Sequence, residues 1–217
     1  MRLLLAGGTG LVGRWLIELA KDRQIPITTV GRRITGDVEN ELVVDFADLP
    51  ILPSADIAIC TLGTTMSDAG SKPAFKAVDF DAVMAFARAA KQSGVRHFLA
   101  VTAVGADTES RAFYSRIKGA VELELTTIGF DRLDILRPGL LLGQRQSRRF
   151  VEQVLQHLSP AIALITRGPW ARYASISAEQ LAGALLALCH ETSPGTFYHQ
   201  SPELQSLGGG TQHGDLT

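Results

Sequence analysis

The segment that most constrains the fold of this chain lies near its start and contains four glycines in seven residues, Gly7-Gly8-Thr9-Gly10-Leu11-Val12-Gly13. A short apolar run precedes it, and apolar residues at helical spacing follow it. Glycine permits tight turns and lets other backbone pass closely. The segment therefore predicts a tight connection from a buried strand to a helix, whose N-terminus would favour an anion.

Short apolar runs alternate with longer helical patterns over the first two thirds of the chain. We predict strands at residues 2–6, 27–31, 42–45, 57–61, 97–102 and 134–137, and helices at 11–22, about 71–92 and about 110–127. Ser71 is the expected cap of the second helix, with Pro73 in its first turn. Alternation of this kind is typical of βαβ units, so we expect an α/β fold with a Rossmann-type, doubly wound parallel sheet.

The pattern changes after Arg137-Pro138-Gly139, where helices are predicted at residues 149–158 and 177–191. This last third is too short for a second domain. We therefore expect one domain over residues 1–204, in which residues 138–200 form a small lobe over the carboxyl ends of the strands, where open α/β sheets bind ligands. Residues 205–217, rich in glycine and polar residues, are predicted to be a flexible tail.

Composition excludes several classes of protein. The 217 residues suit one large domain, and the formal net charge is -1 with no basic cluster of the kind that binds nucleic acid. The apolar opening stops at Gly7-Gly8, too early for a membrane span or a secretory segment. Cys60 and Cys189 form no CxxC pair, which favours a reducing, cytoplasmic location. Neither a membrane nor nucleic acid is expected as a partner, and monomer and homodimer both stay open.

Between a strand and a helix, the glycine spacing indicates a dinucleotide site, although a purely structural turn is the alternative. The end of the second strand decides the cofactor, since a carboxylate there would bind an NAD ribose and an arginine would hold a 2′-phosphate. Arg32 and Arg33 stand at that position, which favours NADP(H) unless they are simply solvated loop residues. Asp45, after the third strand, either hydrogen-bonds an adenine amino group or caps a turn.

Tyr114 and Lys118 are four residues apart, so both side chains lie on one face of the predicted helix. A nearby ammonium stabilises phenolate and should lower the pKa of the tyrosine toward the range useful for proton transfer. The pair therefore predicts an acid for ketone or aldehyde reduction, with an exposed, functionless Tyr-Lys pair as the alternative.

Taken together, these motifs resemble the short-chain dehydrogenase/reductase superfamily, and specifically its atypical, Tat-interacting-protein-like branch. The resemblance runs from Leu3 to about Glu191. Beyond the glycine turn and the Tyr114/Lys118 pair, it rests on these segments: Val44-Asp45-Phe46, Cys60-Thr61-Leu62-Gly63-Thr64-Thr65, Val78-Asp79, His97-Phe98, Gly105-Ala106, Arg137-Pro138-Gly139 and Arg145-Gln146.

The resemblance implies a role for each matching residue. Tyr114 would be the acid/base, and Lys118 would hold the nicotinamide ribose and tune Tyr114. Pro138 and Leu140 would lie near the nicotinamide. Cofactor contacts are implied for the following residues: Gly7, Thr9, Gly10, Leu11, Val12, Gly13, Arg32, Arg33, Asp45, Leu62, Gly63, Thr64 and Pro138.

One departure concerns the catalytic Ser or Thr that the superfamily carries at the end of the fifth strand. Here the pair reads Thr102-Ala103, and the position that usually acts falls on Ala103. That hydroxyl normally helps to polarise the substrate carbonyl. Thr102 either substitutes for it as a catalytic residue or points into the sheet and caps it.

Arg145, after the Arg-Pro-Gly segment, is a candidate for holding an anionic substrate, with a solvated loop as the alternative. The five histidines show no metal-ligand spacing, so we predict no metal site. Cys60 lies on an apolar strand and is expected to be an inert, buried thiol.

The sequence therefore predicts an NADP(H)-dependent oxidoreductase that acts on a small carbonyl or alcohol, whose identity stays open. The first alternative is an NADPH-sensing regulatory or scaffold protein with little turnover, which the Thr102-Ala103 departure supports. The second is a nucleotide-sugar epimerase or dehydratase, and the short chain counts against it because such enzymes usually have a larger substrate domain.

Overall fold

The fold is known from a computed structural model, which describes residues 1–142 and 172–209. Its strands, in chain order, are β1 Leu3–Ala6, β2 Ile27–Gly31, β3 Asn40–Val43, β4 Ile57–Cys60, β5 His97–Val101, β6 Arg132–Arg137, β7 Leu141–Leu142, β8 Ile176–Ser177 and β9 Gly195–Gln200. The helices are α1 Leu11–Asp22, α2 Met66–Ala69, α3 Lys72–Lys76, α4 Val83–Gln92, α5 Phe113–Thr127, α6 Ala178–Leu188 and α7 Ser201–Gly209, with a π-helical turn at Ala77–Ala82 between α3 and α4.

Seven strands form one parallel sheet in the order β3-β2-β1-β4-β5-β6-β9. Strands β2 and β3 lie on one side of β1, and strands β4, β5, β6 and β9 lie on its other side. The direction therefore reverses between β1 and β4, and open α/β sheets bind ligands in the crevice at such a reversal. The predicted doubly wound fold is confirmed.

Helices cover both faces of the sheet because side chains alternate along each strand. Leu3 and Leu5 of β1 face α1 and α6 in one apolar cluster. Leu4 and Ala6 face the other way, toward α4 and α5. The continuous apolar run in β1 is thus buried on both sides, as expected for a central parallel strand.

The predicted helix over about residues 71–92 forms with an interruption. Ser71 caps α3 by accepting a hydrogen bond from Ala74 N, and Pro73 lies in the first turn, as expected. The π-helical turn Ala77–Ala82 then inserts one wide turn before α4 begins. Such turns are rare and often lie at functional sites, and this one carries the buried Asp79.

The C-terminal part differs from the sequence-based expectation in two ways. Strand β9, inside the region assigned to the lobe, is the seventh strand of the main sheet and pairs with β6. Helix α7 continues to Gly209, so the predicted tail does not begin at residue 205. Leu204 is buried, and a Cβ on Gly208 would lie 2.0 Å from Gln180 O. Contact with α6 therefore orders a segment whose composition suggested flexibility.

Within the described part of the chain, no helix combines the length and the apolar character needed to cross a membrane. The helix predicted at residues 149–158 lies outside the described residues.

Candidate functional site

The glycine turn between β1 and α1 is shaped by two close backbone approaches. Gly7 has φ +97°, and a Cβ on it would lie 2.5 Å from Thr61 Oγ1 at the end of β4. A Cβ on Gly13 would lie 2.2 Å from Gly7 O. Gly10, the residue before α1, has no side chain that could cap the helix, which leaves the N–H groups of the first turn to a ligand.

Replacing Gly13 by Ala is expected to lower the free energy of unfolding by about 1–3 kcal/mol, because the new methyl group would overlap backbone that cannot move aside. The measurement is urea denaturation. Gly209→Ala is the matched control, since a Cβ there meets no atom within 4 Å among the described residues. Wild-type stability in Gly13→Ala would contradict the close packing at this turn.

A small cleft of about 200 Å³ lies beside the glycine turn, at the end of β2. Both arginines predicted to select the cofactor border it. Its lining is Gly7, Gly8, Thr9, Gly10, Thr29, Val30, Gly31, Arg32, Arg33, Thr35, Phe46, Thr61, Leu62, Gly63 and Val78.

A larger cleft of about 990 Å³ continues from the same turn toward α5 and the segment after β6. It brings together the Tyr114/Lys118 pair, the start of α1 and the strand end at residues 62–64. Its lining is Thr9, Gly10, Leu11, Val12, Arg14, Trp15, Glu18, Thr61, Leu62, Gly63, Thr64, Thr65, Asp68, Asp79, Val101, Thr102, Tyr114, Lys118, Gly139, Leu140 and Leu141.

Tyr114 lies in the first turn of α5 and is 39% exposed, so its hydroxyl can reach a ligand in the cleft. The ring packs against the fully buried Phe75 of α3, with 5.7 Å between ring centroids. That contact holds the ring on one side while the residue stays partly exposed.

Lys118, one turn further along α5, is buried, and its Nζ lies 2.7 Å from Oδ1 of the equally buried Asp79. The second carboxylate oxygen of Asp79 accepts a hydrogen bond from Thr64 N at 2.8 Å. The π-helical turn thus joins the lysine to the strand end after β4, and Asp79 balances the lysine charge inside the protein.

The expectation of a lowered pKa for Tyr114 is wrong, chiefly because the phenol is partly buried. Burial raises the pKa of the phenol; the Lys118 charge acts to lower the pKa, and the Asp79 charge acts to raise it. The net direction is upward from the ordinary value rather than down toward neutrality. Tyr114 is therefore a protonated phenol at neutral pH, the form that donates a proton.

Thr102 borders the larger cleft, but its hydroxyl donates a hydrogen bond to Glu122 Oε1 at 2.6 Å and lies 3.3 Å from Leu136 O. Glu122 in turn pairs with Arg137, whose Nε lies 3.0 and 3.1 Å from its two carboxylate oxygens. Of the two roles considered for Thr102, this geometry favours the structural one, because its hydrogen is held by the protein interior.

Two other candidates line neither cleft, and a third lies outside the described residues. Asp45 accepts a hydrogen bond from Ala47 N at 2.9 Å, which is the turn-capping alternative. Pro138 is buried next to the cleft, and its carbonyl accepts from Val104 N at 2.9 Å. Arg145 lies outside the described residues.

Cys60 is buried, and burial raises the pKa of its thiol to about 12, which fits an inert thiol. Across residues 1–142 and 172–209, no three His, Cys, Asp or Glu side chains are grouped so as to hold a metal ion.

Sequence reasoning gave no role to Asp79 or Glu122, although both are buried and hold residues of the site. The sequence nevertheless contains a feature that could have identified each of these two residues. Asp79 and Glu122 both fall on the apolar stripe of a helix, near Phe75 and Val83 in one case and Val121 and Leu125 in the other. A carboxylate at such a position needs a buried partner.

Comparison with known proteins places these features in a family. The HIM1 family model matches residues 27–166. Protein FMP52, mitochondrial, of Coccidioides immitis is 33% identical over 187 residues, which is 76% of each chain. Protein HTATIP2 of Rattus norvegicus is 36% identical over 159 residues, which is 68% of this chain and 65% of that protein.

Solved structures support the fold. Human epimerase family protein SDR39U1 with NADPH has a TM-score of 0.66 at 19% identity and covers 93% of this chain and 75% of its own. MoeE5 in complex with UDP-glucose and NAD has a TM-score of 0.70 at 14% identity and covers 97% of this chain and 81% of its own. At these identities the likeness establishes the architecture alone.

The relatives overturn one expectation. A cytoplasmic location was predicted from the cysteines, but FMP52 proteins from several fungi are named as mitochondrial. The prediction is therefore wrong. Its physical basis was weak, because two buried thiols report a reducing environment and several compartments are reducing.

The resemblance seen in the motifs is confirmed by the matching family model, by relatives above 30% identity and by the doubly wound sheet with its glycine turn. The chain belongs to the HIM1 family, in the Tat-interacting-protein-like branch of the atypical short-chain dehydrogenases/reductases.

Proposed function

We propose that this chain binds NADP(H) and transfers hydride to or from a small carbonyl or alcohol, with Tyr114 as the acid/base. The observation that carries the proposal is that Tyr114 and Lys118 border the same cleft as the glycine turn and the end of β4. The cleft lies at the reversal of strand order, where this type of sheet takes its ligands.

The residues present fit a dinucleotide. The two clefts share Thr9, Gly10, Thr61, Leu62 and Gly63, so a long ligand could run continuously from one to the other. Gly10 borders both clefts, and its lack of a side chain would let the backbone of the turn approach a pyrophosphate.

The two ends of the ligand would meet different chemistry. Arg32 and Arg33 would hold the 2′-phosphate by charge-assisted hydrogen bonds, because both border the smaller cleft. Gly139 and Leu140 border the larger cleft, where the nicotinamide would lie. Solved structures with this fold include SDR39U1 with NADPH and MoeE5 in complex with UDP-glucose and NAD, so the fold does not choose between the two cofactors. The arginines are therefore the argument for NADP(H).

When bound, the nicotinamide would supply or accept the hydride at the substrate carbon. In the direction of reduction, the Tyr114 phenol donates its proton to the carbonyl oxygen. The phenol carries that proton at neutral pH, because its pKa is raised from an ordinary value that already lies well above neutrality. Lys118 would hold the ribose with its remaining donors, and Asp79 keeps the ammonium in position.

The cofactor preference is tested by replacing Arg32 and Arg33 together by Ala. We expect the Kd for NADPH to rise about 100-fold, because each lost charge-assisted hydrogen bond costs about 1.5 kcal/mol and each 1.4 kcal/mol is tenfold. The Kd for NADH should change by less than about threefold. The measurement is a fluorescence titration with each nucleotide.

The matched control is Arg23→Ala with Arg88→Ala, which removes the same charge from exposed positions outside both linings. This control should bind NADPH as the wild type does. An unchanged NADPH affinity in the Arg32/Arg33 variant, or failure of the wild type to bind NADPH, would refute the proposed cofactor.

An NADPH-sensing protein with little turnover is the second candidate. The hydrogen bond from Thr102 to Glu122 favours it, because that hydroxyl is then unavailable to polarise a substrate carbonyl. The Tyr114→Phe variant separates the two candidates, because only the hydride-transfer function predicts a loss of turnover.

A further inference from the structure

Glu41 lies on β3 at the edge of the sheet, but its carboxylate turns back onto the loop that follows β2. Oε1 accepts hydrogen bonds from Thr35 Oγ1 and from Gly36 N, both at 2.8 Å. Oε2 accepts a further hydrogen bond from Thr35 N. Burial acts to raise the pKa of Glu41, but the hydrogen bonds from Thr35 and its neighbours outweigh burial and lower the pKa.

Thr35 carries this anchoring to the wall of the smaller cleft. It borders that cleft together with Arg32 and Arg33, which precede it on the same loop. Its methyl group also lies against the glycine turn, since a Cβ built on Gly8 would meet Thr35 Cγ2 at 3.0 Å. The Glu41 carboxylate therefore connects the edge strand β3, the loop that carries Arg32 and Arg33, and the glycine turn.

The placement has a consequence for cofactor choice. A carboxylate with free oxygens near the end of β2 would bind ribose hydroxyls and repel a 2′-phosphate. The oxygens of Glu41 are instead occupied by three donors from the loop. Hydrogen bonds to a charged group are stronger than those between neutral groups, so the carboxylate is well suited to holding a short loop in one conformation.

We infer that Glu41 is a positioning residue that determines specificity: by holding Thr35 and Gly36 it orders the loop that presents Arg32 and Arg33 to the 2′-phosphate of NADP(H). The inference rests on the proposed function, and goes beyond it by assigning the selectivity to an acidic residue on a neighbouring strand. The arginines supply the charge, and Glu41 supplies their arrangement.

The test is Glu41→Gln, which keeps the size of the side chain but removes its charge and one acceptor oxygen. The Kd for NADPH, measured by fluorescence titration, should rise about tenfold, while the Kd for NADH stays within about twofold. Glu41→Asp, which keeps the charge on a shorter side chain, should lie between the wild type and Glu41→Gln. The control is Glu39→Gln, an exposed residue two positions earlier, which should behave as the wild type.

The sign of the change separates this role from simple repulsion. If Glu41 acted mainly by repelling phosphate, its neutralisation would tighten NADPH binding, and that result would overturn the inference. Equal weakening of both nucleotides, with a lower Tm, would also overturn it by indicating a merely structural residue.

Failure of the proposed function gives a different pattern. If the wild type binds no NADPH, or the Arg32/Arg33 variant binds it normally, the proposed cofactor and the inference both fall. If those two results are as expected and Glu41→Gln keeps the wild-type ratio of affinities, only the inference falls.

Discussion

Replacing Tyr114 by Phe is expected to lower kcat by about 10²–10⁴-fold, while the Kd for NADPH stays within about threefold of the wild type. The change removes the proton donor and keeps the ring that packs against Phe75. The measurement is NADPH consumption, followed by its absorbance, with aromatic aldehydes and quinones as probes, beside a fluorescence titration of the cofactor.

Tyr198→Phe is the matched control, since it removes a phenol hydroxyl from a partly exposed tyrosine on β9, outside the linings of both clefts. It should keep full turnover. If the wild type turns over these probes and Tyr114→Phe turns them over equally well, Tyr114 is not the acid. If the wild type binds NADPH but reduces none of the probes, the sensing function is favoured instead.

Replacing Asp134 by Ala is expected to lower the free energy of unfolding by about 3–5 kcal/mol, because it leaves buried cations without a counter-charge. Asp134 is 0% exposed and is contacted by His97 Nε2 at 2.6 Å, His199 Nε2 at 2.7 Å and Arg132 Nε at 2.6 Å. Urea denaturation measures the loss.

Asp131→Ala provides the control three positions earlier in the chain. Its carboxylate lies 2.6 Å from Arg96 Nε, but both side chains are largely exposed, so the loss should be only about 0–1 kcal/mol. Equal effects of the two substitutions would contradict a special contribution from the buried cluster.

The same cluster predicts how stability depends on pH. Burial acts to raise the pKa of Asp134, but hydrogen bonds from His199, His97 and Arg132 lower it well below its ordinary range. Its contribution is therefore present above the unfolded pKa of about 3.9 and is lost as pH falls through the folded pKa.

For His199, burial acts to lower the pKa, but the hydrogen bonds to Asp134 and Glu203 raise it overall. Its contribution is complete below the unfolded pKa of about 6.5 and is lost as pH rises through the folded pKa. The cluster should therefore stabilise the fold most between about pH 4 and 6.5. Urea denaturation across this range checks the expectation, with Asp134→Ala as the variant that should flatten the profile.

Local patterns in the sequence were enough to predict the elements that border the two clefts. The bounds of α1 and β2 agree with the prediction residue for residue, and Ser71 caps its helix as expected. These features depend on hydrophobic periodicity, on capping and on glycine, all of which act over a few neighbouring residues. The strand-to-helix turn at Gly7 could therefore be recognised without any tertiary contact.

Contacts between distant residues decided the rest. Strand β9 alternates weakly in hydrophobicity, and it becomes part of the sheet because it pairs with β6 some sixty residues earlier in the chain. The pKa of Tyr114 is another case: the sequence shows Lys118 at helical spacing, whereas the burial of the phenol and the opposing charge of Asp79 come from the packing of separate elements. Helical spacing determined which two side chains share a face, and only packing determined how deeply they are buried and which third group pairs with Lys118, because burial and charge act through space and not along the chain.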